Sequence, residues 1–225
     1  MNNNEANSAR EEIFASIRRN LAASAPFGAV RKEHHEVLIT RAEVLDESPK
    51  SAIEHFCDNL ESASGKCTIV GGIEEAAKAL KRIIDALNPN RIAFSDAHIV
   101  REIKDLIRSD SEMLDNASAQ ELLECELGVT SAQWAIAETG TLVLESEKEF
   151  SRLTSLVPPV HVCILEKTNI CLTMGEILEA VNKELSSTVT FITGPSRTSD
   201  IELTLAIGVH GPRELWVIVI EGDTI

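Results

Sequence analysis

From Pro49 to about residue 107 the chain alternates helical apolar patterns with short apolar runs, which leaves few folds open. Ile53, Phe56, Cys57 and Leu60 recur at helical spacing, Cys67–Val70 reads as a strand, and Gly71–Gly72 opens a helix carrying Ala76, Leu80, Ile83, Ile84 and Leu87. The unit repeats as strand Arg91–Phe94 and a helix with Ile99, Ile103, Leu106 and Ile107, for which Asp96 is the expected cap. Strands separated by helices of about 10–15 residues predict an α/β fold, a three-layer open sheet with helices on both faces.

After Gly128 the texture shifts to strands: Trp134–Ala137, Thr141–Glu145, His161–Glu166, Val189–Thr193 and Leu215–Ile220, with one helix capped by Thr173 and Glu176. Thr139–Gly140 between two apolar runs predicts a hairpin or sharp bend, so the sheet of the C-terminal half is expected to be mixed. At the other end, Ser8 and Glu11 spell a capping box ahead of Ile13, Phe14, Ile17 and Leu21, which predicts a helix over about residues 8–23. The charged stretch from Ser24 to Pro49 reads as a linker. The expected organisation is an N-terminal helix and linker arm over 1–48 and one α/β domain over 49–225.

Bulk properties narrow the function. The 225 residues are 44% hydrophobic and 25% charged, enough for a packed core, and the formal net charge is −15. So negative a surface repels phosphate backbones and anionic lipid, which argues against nucleic-acid and membrane-surface partners. No window approaches a membrane span and no basic-then-apolar leader opens the chain, so the expected location is the cytoplasm. Five scattered cysteines without CxxC spacing argue against both a disulfide framework and a cysteine-ligated metal; free, structural thiols are expected.

Four segments of the second half are polar, glycine-rich and close to strand ends: Gly128–Thr130, Glu138–Thr141, Arg152–Pro159 and Gly194–Asp200. Strand-to-loop junctions are where open α/β sheets place ligands. Glu138 beside Thr139, Gly140 and Thr141 can act as nucleophile, base or ligand clamp, or be a solvated turn carboxylate. Ser196, Arg197, Thr198 and Asp200, at the expected start of a helix near Ile201, have an anion-binding composition. Arg197 either forks onto a carboxylate or phosphate or pairs internally with Asp200. His210, between Gly208 and Gly211, is a loop histidine able to act as acid, base or ligand. His161 and Cys163 share one face of their strand and read as core or edge residues rather than metal ligands.

The strings Gly128–Ser146, Ser151–Val162, Thr193–Glu202 and Gly208–Pro212 together resemble the lactate-utilisation (LUD) domain family, and within it the lactate utilisation protein C branch. The resemblance is specific over about 128–222 and weaker over 50–127. It implies a fold similar to the sugar-phosphate isomerase and CoA-transferase-like superfamily. It further implies a part in oxidising L-lactate to pyruvate beside two iron–sulfur-type partner proteins that carry the clusters, this chain itself having no evident cofactor. The motif positions carried over are Thr130, Glu138, Thr139, Gly140, Thr141, Arg152, Pro158, Pro159, Ser196, Arg197, Thr198, Asp200, Glu202, Gly208, His210 and Gly211.

Two functional expectations follow, with Glu138 and His210 as the candidate catalytic pair and Thr130, Thr139, Gly140, Thr141, Arg152, Ser196, Arg197, Thr198, Asp200, Gly208 and Gly211 as candidate ligand contacts. The first is a cluster-free subunit of a lactate-oxidising system that binds partners and a small anion, lactate or a phosphate-bearing ligand. The alternative is a free-standing acyl- or CoA-transfer enzyme with Glu138 as nucleophile. A scaffold role and a homo-oligomer stay open.

Overall fold

The computed structural model describes residues 13–19, 51–149, 151–181, 187–199, 205–207 and 211–222. The chain divides into two units, residues 1–46 and 47–225. In the first, residues 13–19 are helical, with Ile13, Phe14 and Ile17 exposed; the expected capping box at Ser8, the end of that helix and the linker lie outside the described residues.

The second unit opens with α1 (Ala52–Ser62), started by a capping box in which Ser51 Oγ accepts from the Glu54 amide and Glu54 Oε2 accepts from the Ser51 amide at 2.6 Å. Then follow β1 (Lys66–Val70), α2 (Ile73–Leu87), β2 (Arg91–Phe94), α3 (His98–Asp105), β3 (Glu112–Asp115), α4 (Ala119–Leu122) and β4 (Leu127–Ser131). α2 stops at Asn88, a left-handed residue whose amide donates to the Ile84 carbonyl, with Pro89 barring continuation. Asp96 does not cap α3. The cap is Ala97 and makes no side-chain bond, while the Asp96 carboxylate pairs with Arg101 one turn into the helix.

The later elements are β5 (Trp134–Ile136), β6 (Thr141–Glu145), α5 (Ser146–Glu149), a 3-10 turn (Arg152–Ser155), β7 (Val160–Glu166), β8 (Ile170–Cys171), α6 (Met174–Val181), β9 (Val189–Ile192), β10 (Arg197–Ser199), β11 (Leu205–Ile207) and β12 (Glu214–Ile220). The start of the helix expected near Ile201 lies outside the described residues, and the segments on either side of it are strands, β10 pairing antiparallel with β11. Gly128–Thr130, expected in a junction, is instead the middle of a wholly buried strand.

The main sheet has six strands in the order β1-β12-β7-β4-β2-β3, all parallel. Its central strands are apolar on both faces because both are covered. One face packs α2 and α3 through Leu80, Ile84, Ile103, Val129, Ile164 and Ile218. The other packs α1 and a second sheet, β8-β5-β6-β9, through Phe56, Leu60, Leu142, Cys163, Leu165 and Val217. The second outer layer is therefore part helix and part sheet. The mixed pairing expected of the C-terminal half is confined to it: β5 runs parallel to β8 and antiparallel to β6, which runs antiparallel to β9.

Cys57 of α1 and Cys67 of β1 are disulfide-bonded, with Cα atoms 5.5 Å apart, which corrects the expectation of free thiols. Both residues belong to the same core layer, so the turn at 63–65 folds side chains distant in sequence onto one another. Cys125 and Cys163 are buried and free. Among the described residues no helix is long and apolar enough to cross a membrane.

Candidate functional site

The sequence motifs gather at two places. The first surrounds the end of α1. Asn59 Nδ2 donates to the Ala137 carbonyl at 2.8 Å, and Gly140, at φ +65°, brings the β5–β6 turn onto the Leu60 backbone. A hydroxyl chain runs from Thr139 through Thr141 to Thr193, with spacings of 2.7 and 2.6 Å. Gly194, at φ +88°, lies against the Ala63 carbonyl, and Arg197 Nη2 donates to that same carbonyl at 2.9 Å and to Ser64 Oγ. A guanidinium at the carbonyl end of a helix is favourably placed both as donor and as charge. Thus Arg197 latches β10 to the end of α1. Glu138 is exposed, and its Oε1 accepts from the Met174 amide at 2.9 Å, an orphan donor of the first turn of α6. It serves that helix as a cap.

The second place is a cavity of about 190 Å³ at the amino ends of β7 and β12. Ser155 and Leu156 leave the 3-10 turn on one side; Thr193, Gly194 and Ser196 form the other, and Gly211 and Pro212 close it before β12. Gly211 faces Ser196, whose Oγ lies 3.1 Å from where a Cβ would stand. The wall is His161, second residue of β7, flanked in register by Gly128 and Leu215. It is 1% exposed; its Nε2 lies 2.8 Å from Thr130 Oγ1, and its Nδ1 has no partner among the described residues. Burial alone lowers its pKa to about 3, so the ring is neutral.

A polar seam continues inward from the cavity. Thr130 lies opposite Cys163, whose thiol burial pushes well above its ordinary range; the Glu149 charge adds to the shift and a Thr130 hydrogen bond opposes it. Glu149 is buried, accepting from the Ser131 amide at 3.0 Å, from Ser131 Oγ and from Gln133 Nε2 at 2.8 Å. A second hollow of about 330 Å³ lies at the carboxyl ends of β4 and β7, near Ser131, Gln133 and Asn169. There these three side chains are already engaged with Glu149 or the Ala132 carbonyl. Among the described residues each hollow holds one unpartnered buried polar atom, Glu102 Oε2 in the second and His161 Nδ1 in the first; the amino-end cavity is the better candidate, since it also gathers the motif positions Ser196 and Gly211.

Of the expected contacts, Ser196 and Gly211 line the cavity and Thr130 supports its wall. Thr139, Gly140, Thr141 and Arg197 sit around α1, Arg152 is exposed on the 3-10 turn, and Thr198 lies in β10. Asp200, Gly208 and His210 lie outside the described residues. His161, Ser155 and Thr193 were not selected from the sequence. For His161, which the sequence places among core or edge residues for want of partners at ligand spacing, the available signal is its position just after Pro158–Pro159 at a strand entry. Among the described residues no cluster of three His, Cys, Asp or Glu could hold a metal.

His161 has a measurable effect on stability. The unfolded ring protonates below about 6.5 while the buried one stays neutral down to about 3. Lowering the pH from about 6.5 to 5 therefore favours unfolding by about 1.4 kcal/mol per unit from this residue. Urea unfolding should show the wild type losing about 2 kcal/mol more than His161→Gln over that window; equal losses would contradict the assignment.

Comparison with known proteins agrees with this architecture. An uncharacterized protein of Neisseria meningitidis is 39% identical over 115 residues, covering 50% of this chain and 49% of that one. A lactate utilization protein C of Halalkalibacterium halodurans is 36% identical over 126 residues, covering 52% and 55%. The chain thus spans about half the length of these relatives. A lactate utilization protein C of Deinococcus radiodurans is 29% identical over 215 residues, covering 94% and 95%. The crystal structure of a DUF162 family protein from Deinococcus radiodurans superimposes with a TM-score of 0.57 at 28% identity, covering 76% of this chain and 99% of that one. Residues 53–220, which hold every strand of both sheets, match the LUD domain, and the chain belongs to the LUD domain family.

Proposed function

We propose that this chain serves lactate utilisation in the cytoplasm as a cluster-free component, binding a small ligand of the lactate type in the His161 cavity. Electron transfer is left to iron–sulfur partner proteins. The observation that carries the reading is the match along nearly the whole chain to a protein named lactate utilization protein C. The cavity supports it by size: 190 Å³ is roughly the space of six waters, which suits a ligand of a few non-hydrogen atoms. The acyl-transfer alternative has less support, because Glu138 stands outside the cavity and its carboxylate caps α6.

The test is genetic. Deleting the gene should abolish growth on L-lactate but not on glucose, the wild-type chain should restore it, and Ser196→Leu, which fills the cavity, should not. Undiminished growth of the deletion strain on L-lactate would overturn the proposal.

A further inference from the structure

We propose that the cavity binds a small monocarboxylate together with one proton, which His161 takes from solvent. This rests on the reading that the cavity is the ligand site, and it names the charge chemistry by which the site works. A carboxylate set against His161, which is 1% exposed, loses water on that side and is stabilised there by a positive partner, because a charge held away from water without one is disfavoured. The residue expected to supply it, Arg197, does not line the cavity, and its Nη2 donates to the Ala63 carbonyl and Ser64 Oγ. Among the described lining residues His161 is the only ionisable side chain; the other polar ones are the hydroxyls Ser155, Thr193 and Ser196. Of these, Ser155 donates to the Arg152 carbonyl and Thr193 is bonded to Thr141.

The ring is set up for this part. Nε2 is held by Thr130 and Nδ1 is unpartnered. As imidazolium both nitrogens donate, Nε2–H to Thr130 Oγ1 and Nδ1–H to the incoming carboxylate, so one proton leaves the buffer and one neutral ion pair forms in the cavity. Among the described residues no other ionisable side chain lines the cavity. On β7 the Cys163 thiol is held neutral, and beyond it the Glu149 carboxylate of α5 is bound by Ser131 and Gln133. On β12 Glu214 is paired with Lys66 at 2.8 Å. Arg152 of the 3-10 turn and Arg213 before β12 are exposed and do not line the cavity. His210 and Asp200, next to lining segments, lie outside the described residues and are covered by the test.

Calorimetry of the full chain with L-lactate, in two buffers of different ionisation heat, measures proton uptake directly, and lactamide serves as the uncharged probe. Near pH 6 L-lactate binding should take up close to one proton, and its Kd should fall by up to about tenfold per unit between pH 7 and 5. Lactamide should bind with a flat pH profile. His161→Gln should bind L-lactate more weakly with no pH dependence, while His210→Asn should keep the wild-type profile. L-lactate binding without proton uptake would overturn this inference and leave the ligand assignment standing; so would a pH dependence lost in His210→Asn and kept in His161→Gln. Failure of both probes to bind the folded wild-type chain would overturn the ligand assignment itself, and this inference with it.

Discussion

Gly140→Ala is expected to lower the stability of the chain by about 3 kcal/mol. Two causes add. The residue sits at φ +65°, where an L side chain is strained, and a Cβ there would lie 2.2 Å from the Leu60 nitrogen and 2.6 Å from the Asn59 carbonyl carbon. Those are backbone atoms of α1, so no rotamer change relieves the clash; the turn must lift off the helix. Lifting it breaks the Asn59–Ala137 bond and uncovers the layer around Phe56 and Leu60, both fully buried. Gly72→Ala is the matching control. Gly72 is extended, nothing lies within 4 Å of its Cβ position, and a change within about 1 kcal/mol is expected. Equal urea midpoints for Gly140→Ala and the wild type would show that the turn is not seated as described.

That glycine also illustrates what the sequence could and could not reveal. A bend at Thr139–Gly140 was legible because two apolar runs flank it, and β2 and β6 match their expected bounds because each is a short apolar run bounded by turn residues or charges. The reason for the glycine was not legible, since α1 lies some 80 positions away and only the fold brings it under the turn. Arg197 misled in the same way. Its neighbours Ser196, Thr198 and Asp200 have the composition of a helix start, but Arg197 lies in a strand paired with β11, and the guanidinium reaches a helix end about 130 positions back. β4 was misread because Gly128 and Thr130 look like a junction. In the sheet Gly128 leaves room for the Thr154 carbonyl, and Thr130 finds its hydrogen-bond partner in His161, so both are core residues of a buried strand. The Cys57–Cys67 bond was missed because spacing alone does not place a helix residue beside a strand residue.

The candidate site was legible as a set of strings and not as a place. Motifs that look alike in sequence divide between two duties, the latch around α1 and the cavity beside His161. No periodicity separates those duties. Ser196 and Arg197 are neighbours, yet one lines the cavity and the other holds the helix. The division also orders the expected effects of substitution: changes at the latch act through stability, while changes at the cavity wall act on the ligand with the fold largely intact.

The second large effect follows from that division, and it tests the central claim most directly. In cells deleted for the gene, Glu138→Gln and His161→Gln are expressed at equal soluble levels and growth on L-lactate is measured. In Glu138→Gln the amide oxygen still accepts from the Met174 amide, so growth within about twofold of wild type is expected. In His161→Gln the ring facing the cavity is gone, and growth below about a tenth of wild type is expected. The reverse order, with Glu138→Gln inactive and His161→Gln fully active, would contradict the account and return the site to the β5–β6 turn.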